Sequence, residues 1–212
     1  MTALVKDCSG VDAGFLMVPA DGHDPYFPDS RNPSALLLQL EFRDICALER
    51  ALSVKGCLEP LADQALWPSL AGCSISHQAM MTRRYTVPDA TIRSEDGSSL
   101  SYMVEYQGPA EDANAWHVSY MARHPLLLAK FPGIRAIEIY TPLSVVTGLP
   151  FRDRGAMQRN KTVFDSTEAM NTAMACPARD ELRADALKLP PFSGAKDHFP
   201  FRADMIRGGP AR

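Results

Sequence analysis

The stretch AEDANAWHVSYMARHPLLLAKF, Ala110 to Phe131, decides how the rest of the chain is read. It is helix-sized and apolar runs flank it, Leu100 to Tyr106 before and Ile134 to Tyr140 after the punctuating Pro132-Gly133. The expectation is a helix between two strands. The helix carries two of the five histidines, His117 and His124. At about 100° per residue a seven-residue spacing turns by roughly 700°, which returns both imidazoles to nearly one face, with Tyr120 and Met121 between them. Pro125 removes an N–H, leaves the Met121 carbonyl without its helical partner and biases His124 away from helical angles. A local kink that aims His124 is therefore expected.

Upstream, Ala13 to Val18 reads as a first strand ended by Pro19, and Ser34 to Phe42 as a buried second one. Between them, ADGHDPYFPDSRNP is too rich in turn residues for a helix and is expected to cross the surface or cover something. Asp44 can cap a helix with apolar positions at Ile45, Leu48 and Leu52. Leu58 to Leu70 gives no clear element, Ser74 to Val87 reads as one long strand, and Pro88 to Ser99 as a polar linker. Downstream, Met157 to Phe164 is a strand. Asp165 and Ser166 can cap a helix reaching about Ala186, with Glu168 in capping-box position and a kink at Pro177. His198 to Met205 supplies a last strand or extended edge. The order β-α-β-β-α-β is the ferredoxin-like pattern, an antiparallel sheet backed by two helices.

A fixed offset carries Phe42 onto Phe164, Leu48 onto Met170, Ala51 onto Ala173 and Leu52 onto Met174. A strand followed by a capped helix thus occurs twice, which divides the chain at residues 1–92 and 93–212. The competing reading is coincidence of amphipathic spacing. The first copy is shorter by about a helix plus a strand, so ADGHDPYFPDSRNP is expected to replace the helix that bears the histidines.

WHVSYMARHPLLLAKFPG, Trp116 to Gly133, resembles the EthD-like branch of the dimeric α+β barrel superfamily. In that branch an aromatic-rich helix leads into a His-Pro-Leu element and then Pro-Gly before the second strand. The matching residues are Trp116, His117, Tyr120, His124, Pro125, Leu126, Pro132 and Gly133. MQRNKTVFDSTEAMNTAMACPARDELRADALKLPPFSG looks like the third strand and second helix of the same branch. The resemblance covers essentially the second half; the first half departs from it by lacking the His-Pro element. It implies an α+β fold of tandem ferredoxin-like units, the N-terminal one shortened, with antiparallel sheets packed as an α+β barrel. That barrel would form either inside one chain, as an internal pseudo-dimer, or between chains as a homodimer. A mostly apolar pocket between sheet and helix would take a small hydrophobic organic ligand. The superfamily hosts monooxygenases, cyclases, isomerases and decarboxylases, so the resemblance names no single reaction.

His124 is the first candidate for a general acid/base, because an unshifted imidazole titrates near ~6.5. The plainer reading is a hydrogen bond to helix carbonyls freed near Pro125. His117 comes second and could simply face solvent. Tyr120, with Tyr102 or Tyr106 on the preceding strand, could position a substrate oxygen, or be core aromatics with satisfied hydroxyls. Asn160 shares a strand face with Gln158, Thr162 and Phe164; turned inward it needs a partner or a ligand. His198 lies near where the resemblance places the pocket mouth. His23 and His77 lack a supporting motif. Arg183 and Asp185 read first as a solvated helix face, with carboxylate binding as the alternative.

A net charge of −3 and a pI near 5.9, with no polybasic run, argue against nucleic acid as a partner. No apolar run reaches the ~18 residues of a membrane span, so no membrane partner is expected. Five cysteines without a CxxC pair fit a reducing cytoplasm better than a disulfide scaffold or a zinc site. His117 and His124 lie ~10.5 Å apart along a helix axis, too far to share one metal ion. GxGxxG, GxxxxGK[ST] and GxSxG are absent, so no cofactor is expected. The function anticipated is small-molecule binding with His124-assisted, cofactor-independent proton transfer of isomerase, cyclase or lyase type on a hydrophobic or aromatic-derived compound. The alternative is a non-catalytic accessory or ligand-carrying protein.

Overall fold

Short polar side chains start the helices. In the computed structural model, which describes residues 1–22, 24–27, 33–94 and 96–208, Asp44 accepts from the Cys46 N–H at 2.7 Å, Asp112 from Ala115 at 2.9 Å and Ser166 from Ala169 at 3.2 Å. Each satisfies a donor that the first helical turn leaves unpaired. The elements run α1 (Thr2–Asp7), β1 (Val11–Pro19), β2 (Leu37–Phe42), α2 (Ile45–Leu52), β3 (Ser76–His77), β4 (Met80–Tyr85), β5 (Ser99–Tyr106) and α3 (Ala113–Leu128). There follow β6 (Ala136–Pro142), β7 (Arg152–Asp153), β8 (Gln158–Phe164), α4 (Thr167–Met174), α5 (Pro177–Ala186) and β9 (Lys196–Arg207). Three short 3-10 turns occupy the stretch from Glu59 to Leu70 that the sequence left undefined.

Two expected elements are each broken in two. The long strand over 74–87 divides into β3 and β4, because Gln78 turns its side-chain amide onto the Ala156 backbone, donating at 2.9 Å and accepting at 3.2 Å. The late helix does not bend at Pro177 but stops at Met174. Pro177 then begins α5, where a missing N–H has no helical partner to lose. By contrast α3 runs through Pro125 to Leu128.

Seven strands form one sheet in the order β2-β1-β9-β5-β8-β6-β4, with every neighbouring pair antiparallel. Its inner four, β9-β5-β8-β6, are the 4-1-3-2 order of a ferredoxin-like unit. A second unit laid edge to edge would place its second strand against β9 and its fourth against β6. Those places belong to β1 and β4, and β2 follows β1 as the third strand of its hairpin. The place of the first strand, between β2 and β4, is filled by none of the described residues. The strand that the shortened copy lacks among the described residues is therefore its first, and β1 stands in the place of its second. The repeat aligns β2-α2 with β8-α4, but β1 alone cannot reveal which earlier strand it represents.

The sheet curls until its two ends meet through side chains. Arg84 on β4 reaches Glu41 on β2 at 2.6 Å and Glu138 on β6 at 3.1 Å. Lys161 on β8, only 3% exposed, bonds Glu138 at 2.8 Å and Gln39 at 3.0 Å. Burial opposes the Glu138 charge, but Lys161, Tyr140 and Arg84 outweigh it and hold the carboxyl down at about 2. Met17, Met103, Phe199 and Phe201 fill the same inner face beside this network. The outer face packs under α3, α4 and α5.

A smaller cluster around Val5, Val11, Leu52 and Leu58 joins α1 to α2. There Cys8 and Cys57 form a disulfide across 49 residues, against the expectation of unpaired thiols. Their spacing belongs to no motif, and only the packing of α1 beside the end of α2 brings them together. No helix among the described residues is long and apolar enough to cross a membrane.

Removing one partner of a buried ion pair leaves the other charged and desolvated. Lys161→Met should therefore destabilise the fold by about 3 kcal/mol. Lys161→Met combined with Glu138→Gln should recover part of that loss in denaturant unfolding; a single variant as stable as the parent would show the network to be idle.

Candidate functional site

Strand alternation sends Tyr102, Val104 and Tyr106 of β5 to the outer, helix-covered face, with Asn160 and Thr162 of β8 and His198 of β9. The register puts His198, Val104 and Asn160 in one row across three strands. Above them, α3 buries Trp116, Tyr120, His124 and Leu128, an i+4 ridge laid over the sheet. Between sheet, α3 and α5 lies a cavity of about 300 Å³, at the small end of the ~300–1,000 Å³ range of small-molecule pockets.

Five of the six residues singled out from the sequence line this cavity: His124, Tyr120, Tyr102, Asn160 and His198. The sixth, His117, does not. The buried ridge winds around the helix, so at the level of Trp116 it lies ~100° from His117, although His117 and His124 nearly coincide in projection. His117 instead meets the Met157 backbone and the edge of Trp116. His77 sits against Phe151 in the small β3–β7 pair, away from the cavity. His23 lies outside the described residues.

His124 is 5% exposed, and its Nδ1 lies 3.1 Å from Asp185 Oδ2 on α5. Arg123 holds the other Asp185 oxygen at 3.0 Å. Asp185 is thus a buried partner, not part of a solvated helix face: Arg179, Leu182 and Asp185 form the buried stripe of α5. Accepting from Nδ1–H, the carboxylate fixes the tautomer and leaves Nε2 of His124 as the basic atom. Burial lowers the imidazole to about 4, although Asp185 pulls it back up. His124 is accordingly neutral at pH 7.

The second histidine is fixed from the sheet side. Tyr102 donates a very short hydrogen bond to Asp24, and its hydroxyl oxygen lies 2.8 Å from Nδ1 of His198. Asp24 also takes Arg179 at 2.7 Å. Burial opposes its charge, but Tyr102, Arg179 and the Tyr26 N–H prevail, so the carboxyl stays below its ordinary value. An ionised Asp24 can only accept, so the single Tyr102 proton goes to it and Nδ1 of His198 must donate. Nε2 of His198 is left with its lone pair and no partner among the described residues. Phe27 stacks on the ring at 3.6 Å, and burial takes His198 down to about 3.

Sequence reasoning missed Asp24, Phe27 and Arg179. The described part of ADGHDPYFPDSRNP does cover something, since Tyr26 and Phe27 close one side of the cavity while Asp24 lies behind them on Tyr102 and Arg179, but nothing local distinguishes this aspartate from its neighbours. Asn160 is resolved by register: it donates to Tyr120 and accepts from Gln158 at 2.8 Å. Thr162 Oγ1 and Arg179 Nε, both on residues that line the cavity, are buried without a partner among the described residues. Such groups carry a cost that a ligand would relieve. Among the described residues no three His, Cys, Asp or Glu side chains converge as metal ligands.

A ferredoxin-like sheet curled into an α+β barrel, with one helix-covered cavity bearing two neutral histidines, is the class that this geometry defines. No family model matches the sequence, and no curated protein does. Among solved structures the chain is similar to an anthrone oxidase-like protein, with a TM-score of 0.58 and 15% identity over 97% of this chain and 84% of that one. It is also similar to a candidate monooxygenase from Lactobacillus acidophilus NCFM, with a TM-score of 0.51 and 11% identity over 98% and 88%. An ethyl tert-butyl ether D (EthD) family protein from Bacillus halodurans C-125 aligns over 46% of this chain and 95% of its own, at 21% identity and a TM-score of 0.35. At identities this low, the first two similarities show the fold alone.

Both histidines are held neutral in the folded state, whereas unfolded imidazoles titrate near ~6.5. From about pH 6.5 down to about 4, the unfolded chain binds more protons than the native one, so stability falls as pH falls. The thermal midpoint should drop steadily across that window. His198→Gln removes one titrating group and should make the slope shallower; an unchanged slope would show that His198 does not titrate in this way.

Proposed function

We propose that the chain is a cofactor-independent enzyme that moves a proton next to the carbonyl of a planar, aromatic-derived compound. The observation that carries this reading is the His124–Asp185 pair on the cavity wall. An imidazole with Nδ1–H held by a carboxylate has one free, basic nitrogen, and the carboxylate stabilises the imidazolium once it forms. Tyr106, Tyr120 and Phe131 give the cavity aromatic walls suited to a flat ring system.

In the proposed step Nε2 of His124 takes a proton from the carbon beside the carbonyl. The C–H electron pair moves into the new C=C bond and the carbonyl pair onto oxygen, giving an enolate. The unpartnered Arg179 Nε is a donor suited to that developing charge. Return of the proton from the imidazolium to another carbon completes an isomerisation; loss or attack elsewhere in the ring system would make the same step the start of a lyase or cyclase reaction.

The name of the anthrone oxidase-like neighbour supports the choice of a first probe, and the cavity volume suits a fused tricycle. Anthrone has an acidic methylene across its central ring from the carbonyl, activated through the fused aromatic rings, so its exchange tests the vinylogous form of the same proton abstraction. Under anaerobic conditions in D₂O, the protein should accelerate deuterium exchange at that methylene, followed by proton NMR. His124→Gln should return exchange to background, and Asp185→Asn should slow it by about 100-fold. Anthrone that binds without faster exchange would leave a ligand carrier and overturn the catalytic reading.

A further inference from the structure

The charges around the cavity are of one sign. Arg179, Arg183 and Lys196 all line it, and no Asp or Glu among the described residues does. The neighbouring carboxylates are engaged elsewhere. Asp24 is held by Arg179 and Tyr102, Asp185 by His124 and Arg123, and Asp180 accepts from the Tyr26 hydroxyl at 2.5 Å. Arg179 is therefore balanced, but Arg183 and Lys196 have no ion-pair partner among the described residues. Both lie against aromatic rings instead: Arg183 stands 4.4 Å from the Tyr26 centroid, and Lys196 5.6 Å from that of Phe192 and 6.0 Å from that of Tyr106.

Lys196 is lowered from its ordinary value by desolvation, with no carboxylate to restore it. The positive charges of Arg179 and Lys196 both add to the lowering of His124 and of His198. The cations and the two imidazoles therefore act on one shared space. The buried, unpartnered Arg179 Nε at the cavity wall is a second, independent sign of a missing acceptor.

We propose that the ligand is a planar aromatic acid, with its fused rings in the cavity and its carboxylate at the rim on Lys196 and Arg183. This rests on the reading of the cavity as the substrate site and narrows the substrate class from aromatic-derived carbonyl compounds to their anions. An anion on Lys196 offsets one of the positive charges that add, behind burial, to the lowering of both imidazoles.

The test compares anthraquinone-2-carboxylate with anthraquinone-2-carboxamide, which share rings and carbonyls and differ in charge, by calorimetric titration. The acid should bind the wild-type protein more tightly than the amide. Lys196→Met and Arg183→Met should each weaken the acid by roughly fivefold while leaving the amide unchanged. Raising salt from about 0.1 M to about 1 M shortens the screening length from ~10 Å to ~3 Å and should remove most of the preference. Equal affinities for the two compounds, no binding of either, or a preference indifferent to both substitutions would each overturn the proposal. His124→Gln keeps both rim cations, so its preference for the acid is expected to persist even where proton exchange is absent. A protein that exchanges anthrone protons but does not discriminate acid from amide would overturn only the present assignment.

Discussion

The barrel depends on an ion-paired bridge across a place that no strand among the described residues fills. β2 and β4 stand at opposite ends of the strand order, and no backbone ladder joins them. Their approach is held by Glu41, Arg84, Glu138 and Lys161, with Gln39 linking the last of these to Tyr140. Glu138 and Lys161, the two buried charges, are tolerable because each has a partner of opposite sign and further hydrogen bonds. With the inner face filled in this way, the opposite residues of β5, β8 and β9 are committed to the helix side, where the cavity lies.

That cavity takes its two histidines from different layers. His124 rides on a helix and is locked by a second helix; His198 rides on a strand and is locked by its neighbour, Tyr102. In both, Nδ1 is the atom committed to the protein, so each ring keeps Nε2 for whatever enters. Asp24 and Asp185 never line the cavity, yet they decide the tautomer of the rings that do.

Most of the second half was legible in the sequence because its signals are local. β5, α3, β6, β8 and β9 follow from apolar runs, caps and the Pro-Gly punctuation, and each lies within a few residues of its expected span. The 4-1-3-2 arrangement follows from that order. What the sequence could not show is pairing over distance. Asp185 meets His124 from 61 residues away and Asp24 meets Tyr102 from 78, with no motif at either spacing. Cys8 and Cys57 are of the same kind. The face chosen by Asn160 was undetermined until register fixed it, and the parting of His117 from His124 arises from the slant of a helix on a sheet, which a helical projection does not contain.

The vacant strand place also makes the two halves of the molecule unlike one another. Two identical units would have to satisfy closure of the barrel and chemistry at the cavity with one set of residues. Here Gln39, Glu41, Arg84, Glu138 and Lys161 hold the seam, while His124, Asp185, Arg179 and His198 shape the cavity, and no residue serves in both groups. Sequence change at the seam is felt as loss of fold, and change at the cavity as a new shape and polarity of its lining. The two faces of the sheet thus have separate tolerances for drift, with the freedom to diversify concentrated on the face covered by the helix that Asp112 opens.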